Sequence, residues 1–89
     1  MADYVYMLRC SDGSFYSGYT TDPVRREREH NTGRGAKYTR SRRPVELVYT
    51  EKLDDRSSAL RREAALKKLS HPEKERLAEE YRGREADSH

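Results

Sequence analysis

Apolar and polar positions alternate with a strand period at the start of this chain and recur with a helical period towards its end. Residues 4–10, Tyr-Val-Tyr-Met-Leu-Arg-Cys, are aromatic and β-prone and predict a first strand. A period of two puts Tyr4, Tyr6, Leu8 and Cys10 on one face and Val5, Met7 and Arg9 on the other. Ser11-Asp12-Gly13-Ser14 supplies an Asp-Gly turn signal, so Phe15-Tyr16-Ser17-Gly18-Tyr19-Thr20 reads as the return strand of a hairpin. Asp22 offers a cap oxygen directly before Pro23, a residue suited to the first helical position. The helix they open runs to about Asn31 and stops at Thr32-Gly33. After a basic loop, Pro44 precedes a third strand, Val45-Glu46-Leu47-Val48-Tyr49-Thr50.

Caps between Asp54 and Ser58 introduce a helix over 57–69, patterned by Ala59, Leu60, Ala64, Ala65, Leu66 and Leu69. Ser70 or His71 with Pro72 starts a last helix through Leu77 and Tyr81. Residues 82–89, without large apolar side chains, read as a disordered C-terminal tail. The order ββαβαα predicts one α+β domain over residues 1–81: a small three-stranded antiparallel or mixed sheet flanked by helices.

Composition adds a thin core to this picture. Apolar residues are 33% of the 89 and charged residues 39%, but 19 basic side chains nearly balance 16 acidic ones and seven Tyr add bulk. Disorder by composition needs high net charge as well as few hydrophobes, so a folded domain is expected. No apolar run approaches the ~20 residues that span a bilayer, and the start of the chain lacks the basic and apolar regions of a signal peptide. The single Cys10 makes no internal disulfide or cysteine-based zinc site, and His30, His71 and His89 have no zinc-ligand spacing. A soluble cytoplasmic protein is the expectation.

The net +3 is concentrated between residues 25 and 43, where Arg25, Arg26, Arg28, Arg34, Lys37, Arg40, Arg42 and Arg43 face only Glu27 and Glu29. Such a run is either a solvated basic loop or the footprint of a phosphate-rich partner. Arginine's planar fork, with Tyr38 and two glycines nearby, points to nucleic acid, with Arg25, Arg34, Lys37, Tyr38, Arg40, Arg42 and Arg43 as the candidate contacts.

Six positions carry candidate chemistry. Tyr6 and Tyr16 lie on strands joined by a short turn, either as core packing or as a pair of phenols. Gly18 inside the second strand suggests a close backbone approach or a strand end. Arg26 and His30, four apart, share a helix face; the Arg reads as a solvated charge and the His as a cap on a carbonyl. Glu63, with Leu60 and Leu66 three residues to either side, lies in line with an apolar stripe. A carboxylate there needs a salt bridge, to Arg26 for example, or a metal.

Taken in order, these residues resemble the GIY-YIG nuclease family. Tyr4-Val5-Tyr6 matches the first half-motif and Tyr16-Ser17-Gly18 the second, although only the last tyrosine of the first and the flanking tyrosine and glycine of the second are kept. Arg26 falls eight residues after Gly18, His30 matches a histidine that often follows, and Glu63 matches the family's metal-binding glutamate. The segment from Gly33 to Arg40 is similar to the small stand-alone bacterial subgroup, the YhbQ-like, UPF0213-type proteins. A lysine that some members carry past the second motif is replaced here by Tyr19-Thr20-Thr21, and a further asparagine beyond the glutamate is absent.

The resemblance implies a metal-dependent DNA endonuclease, structure- or strand-selective and linked to DNA repair, using Mg2+ with Mn2+ as the alternative. Glu63 would hold the ion and Arg26 would clamp a phosphate oxygen. Tyr6 would serve as base or water-orienting group, Tyr16 would position water and phosphate, and His30 would contact phosphate or relay a proton. A free phenol, with a pKa of about 10, is a poor base unless its surroundings assist it. The alternative on the same fold is a non-catalytic nucleic-acid-binding module; a third reading is an interaction domain whose protein partner supplies the chemistry. The basic loop by itself is expected to bind weakly, with strong salt dependence and no base readout.

Overall fold

Three strands, β1 (Asp3–Arg9), β2 (Phe15–Thr20) and β3 (Glu46–Leu53), form an antiparallel sheet in the order β2-β1-β3 in a computed structural model that describes residues 2–87. The hairpin between β1 and β2 closes as the Asp-Gly signal predicts. Gly13 takes φ +85, and the Asp12 carboxylate accepts from the Ser14 amide at 3.0 Å. This fixes the register, with Tyr6 opposite Gly18 and Leu8 opposite Tyr16.

The helices are α1 (Pro23–Asn31), a single turn α2 (Lys37–Arg40), α3 (Arg56–Lys67) and α4 (His71–Asp87). Asp22 caps α1 by accepting from the Arg25 amide at 3.1 Å, and Asp55 caps α3 through the Ser58 amide at 2.7 Å. Of the two starts expected for the last helix, Ser70 is the cap, since its hydroxyl and the Glu73 carboxylate satisfy each other's amides.

Both faces of the sheet are covered. Val5, Met7, Phe15 and Tyr49 pack with Ala59, Leu66 and Ala78 under α3 and α4. Tyr6, Leu8, Cys10 and Val45 form a second cluster on the other face, with Tyr16 and Leu47 against it. The alternation in the first strand thus separates two cores, one of them built around tyrosine.

Helix α1 also closes the free edge of β3. The Asn31 amide group exchanges hydrogen bonds with the backbone of Val45, at 2.7 and 2.9 Å, and the Glu27 carboxylate accepts from the Leu47 amide at 2.6 Å.

Three local expectations change. The basic loop contains α2, too short for any periodicity to announce. Leu60 is 42% exposed, and Ala64 and Ala65 are exposed too, so the buried stripe of α3 is Ala59 and Leu66. The final helix continues past Tyr81 to Asp87, because charged helix-formers extend a helix already docked upstream. Residues 88 and 89 lie outside the described residues.

Candidate active site

Tyr6 reaches across β2 at the one position without a side chain. A methyl group at Gly18 would sit 2.5 Å from the Tyr6 phenol oxygen, so the ring occupies the space glycine leaves. Tyr16, one pair further along β2, is a diagonal neighbour of Tyr6 with ring centroids 6.4 Å apart. Both roles expected for these tyrosines coexist, since Tyr6 is buried core and also one wall of a polar cluster.

His30, in the last turn of α1, is wholly buried and caps no carbonyl. Its Nε2 lies 3.0 Å from the Tyr6 hydroxyl, and its Nδ1 lies 2.7 Å from the Thr39 hydroxyl on α2. Thr39 in turn donates to the Ala36 carbonyl at 2.9 Å. Gly35 packs so closely on the imidazole that any Cβ there would collide with Nδ1. Neither Thr39 nor Gly35 is among the candidate site residues of the sequence, where Gly35 counts only as a glycine of the basic segment. A glycine beside a polar turn has many causes, and a buried threonine in a basic segment has no pattern to mark it.

Arg26, one turn before His30, pairs with Glu29 at 3.0 Å rather than with Glu63. Burial opposes the Arg26 charge, but Glu29 and the Tyr6 phenol outweigh it, and the guanidinium's proton is held more firmly than usual. Glu63 is part-buried, its side chain 18% exposed, and its ion pair is with Lys67 at 3.0 Å. It makes no hydrogen bond to the phenols or to Arg26, but its charge reaches Tyr6. Burial pushes the Tyr6 phenol up to about 12; Arg26 opposes this, while Tyr16 and Glu63 reinforce it. Burial, with Arg26 second, pushes His30 down to about 4. Both groups are therefore neutral at pH 7, with the proton on the phenol.

The basic segment divides by role. Arg43 donates to the carbonyls of Arg40 and Asn31, and Arg42 donates to Asp12 and to the Tyr38 carbonyl, so both hold the loop together. Arg42 also lies 3.9 Å over the Tyr38 ring, which stacks on Tyr16 at 6.2 Å. Arg25 is exposed and sits 3.8 Å from Glu29. Arg34, Lys37 and Arg40 are exposed, with no ion pair among the described residues. A cavity of about 830 Å³ lies elsewhere, between α1, β3 and α4. Glu27, Glu46, Glu75 and Glu79 outnumber Arg9 and Arg82 in its lining, a poor receptor for phosphate.

The family model for the GIY-YIG catalytic domain matches residues 2–76. A UPF0213 protein of Haloquadratum walsbyi is 58% identical over 77 residues, covering 86% of each chain. One from Natronomonas pharaonis is 54% identical over 80 residues, 90% of this chain and 94% of that one. The solution structure of an Enterococcus faecalis protein aligns with TM-score 0.59 and 50% identity, over 92% of this chain and 88% of the other. That of a UPF0213 protein from Bacillus halodurans aligns with TM-score 0.55 and 49% identity, over 89% and 84%.

Proposed function

Because the chain belongs to the GIY-YIG family, within its UPF0213 group, we propose that it is a divalent-metal-dependent endonuclease that hydrolyses phosphodiester bonds in DNA. The observation that carries this reading is the Tyr6–His30 pair, a phenol hydroxyl 3.0 Å from Nε2 of a buried, uncharged imidazole and beside the Arg26 guanidinium.

Hydrolysis requires water to lose a proton as it attacks phosphorus. In this reading the Tyr6 hydroxyl donates to His30, and its oxygen keeps lone pairs to accept from water. As one O–H bond of the water breaks, a new phenol O–H forms, and the original phenol proton passes to Nε2 of His30. The phenol is regenerated and the proton resides on the imidazole. In the free site this transfer is uphill, given a phenol near 12 and an imidazole near 4. An anionic phosphate beside His30 raises the proton affinity of the imidazole and so reduces the gap. Arg26 is placed to clamp a non-bridging oxygen and to meet charge as it develops there. Tyr16, less buried than Tyr6, orients water and phosphate at the mouth of the cluster.

The donor set suits a hydrated cation. Among the described residues no three of His, Cys, Asp and Glu converge on one point, so most ligands would be water. Mg2+ accepts that arrangement, with one or two carboxylates, and Glu63 is a part-buried carboxylate whose present partner is an exposed lysine free to turn outward. A cation held there supplies Lewis-acid stabilisation of the phosphate and of the leaving oxygen.

The test is to incubate purified protein with single-stranded, duplex, branched and nicked DNA, with and without Mg2+. Cleavage that needs Mg2+ and falls by roughly two orders of magnitude or more in both Glu63→Ala and Tyr6→Phe is the expected result. Equal cleavage by both variants indicates a contaminating nuclease. Salt-dependent binding with no cleavage of any substrate makes the chain a nucleic-acid-binding module instead.

A further inference from the structure

We infer that Thr39 is a positioning residue of this site, holding His30 in the one tautomer whose Nε2 is free to take the Tyr6 proton. The inference rests on the roles given above to Tyr6 and His30. Its basis is a count of protons along a buried chain of contacts. A carbonyl oxygen can only accept, so the 2.9 Å contact between Thr39 and Ala36 commits the single hydroxyl proton of Thr39. At its other contact, 2.7 Å from Nδ1 of His30, the hydroxyl oxygen must therefore accept. Nδ1 then carries the imidazole proton. A neutral imidazole has only one such proton, so Nε2 is bare, and the Tyr6 hydroxyl at 3.0 Å donates to it.

Without the Thr39 oxygen, an Nδ1–H would be a buried donor with no partner, a costly arrangement. The imidazole would escape it by moving its proton to Nε2, where it would point at the Tyr6 oxygen and close the acceptor site. Three features keep Thr39 in place. It is wholly buried, it lies on the single turn α2, and Gly35 lets that segment approach the imidazole more closely than any side chain would allow. The same turn carries Lys37, Tyr38 and Arg40, so the segment offered to nucleic acid also sets the protonation pattern of the base pair behind it.

The tautomer is read directly by long-range 1H–15N correlation spectra of the His30 imidazole at pH 7. The wild type is expected to give the Nδ1–H pattern, and a wild-type Nε2–H pattern overturns the inference with no variant required. Thr39→Val removes the hydroxyl at nearly constant volume; Thr39→Ser keeps it. Val should shift His30 to Nε2–H and lower kcat about 10–100-fold with little change in KM, while Ser should restore both signals. A folded Val variant that retains the wild-type tautomer, or a Ser variant that fails to restore it, refutes the role. If the wild type cuts no DNA, the nuclease reading fails, and the spectra still decide whether Thr39 governs His30.

Discussion

Protonating His30 would place a charge on a wholly buried imidazole, beside a guanidinium already there, and this makes the residue a pH sensor of the fold. Its folded pKa of about 4 lies below the ordinary 6.5. Above pH 6.5 both folded and unfolded states hold it neutral, and its full contribution to stability is present. As pH falls from 6.5 to about 4 the unfolded state gains the proton first, so stability is lost across that interval, on the order of 3 kcal/mol. Urea denaturation at stepped pH should reveal this slope, and His30→Gln should flatten it. Carboxylates held below their usual range, such as Glu75 by Arg9 and Glu51 by Arg62 against its own burial, release their share at lower pH. A wild-type curve flat from pH 6.5 to 4.5 would contradict the burial of a neutral imidazole.

At the scale of elements, two glycines separate a strand that must lack a side chain from a helix that merely does. Gly18 in β2 leaves room for the Tyr6 ring, whereas among the described residues nothing lies within 4 Å of a Cβ added to Gly83 in α4. Gly18→Ala should therefore destabilise the domain by about 1–3 kcal/mol through overpacking, because the ring it displaces is buried and hydrogen-bonded at its far end. Gly83→Ala should stabilise by about 0.5–1 kcal/mol through helix propensity. Chemical denaturation of both variants checks the pair; a stabilising alanine at 18 would mean that Tyr6 does not lie across β2. Helix α1 illustrates a related economy. Its successive turns supply Arg26 and His30 to the site and Glu27 and Asn31 to the edge of β3, so the helix that carries catalytic candidates is fixed by its own polar face.

Over the whole molecule, charge is sorted by location. Carboxylates line the cavity between α1 and α4, and Arg34, Lys37 and Arg40, without an ion pair among the described residues, lie on the segment whose Tyr38 stacks on Tyr16. Among the described residues no helix is long and apolar enough to cross a membrane. If the basic segment meets phosphate, binding should weaken steeply between 50 and 200 mM salt. In the triple variant R34A/K37A/R40A the log–log slope should become shallower by up to about 2–3. Fluorescence anisotropy with a labelled oligonucleotide measures both slopes, and identical values would place the phosphate contacts elsewhere.

Local physics was legible in the amino-acid order. The Asp-Gly turn, the Asp22 cap with its proline and the two-residue period of β1 each depend on neighbours in sequence, and they led to the ββαβαα order of an α+β domain, whose sheet proves antiparallel throughout. Five scattered positions pointed to one family for the same reason, because spacing is a property of the chain. Contacts between elements were not legible in that way. The partner of Glu63 is Lys67 rather than Arg26, the buried stripe of α3 omits Leu60, and Thr39 meets His30 nine residues away through a turn no pattern foretold. Burial, tautomer and pairing are decided by what packs against a side chain, and only the folded chain brings those atoms within hydrogen-bonding distance.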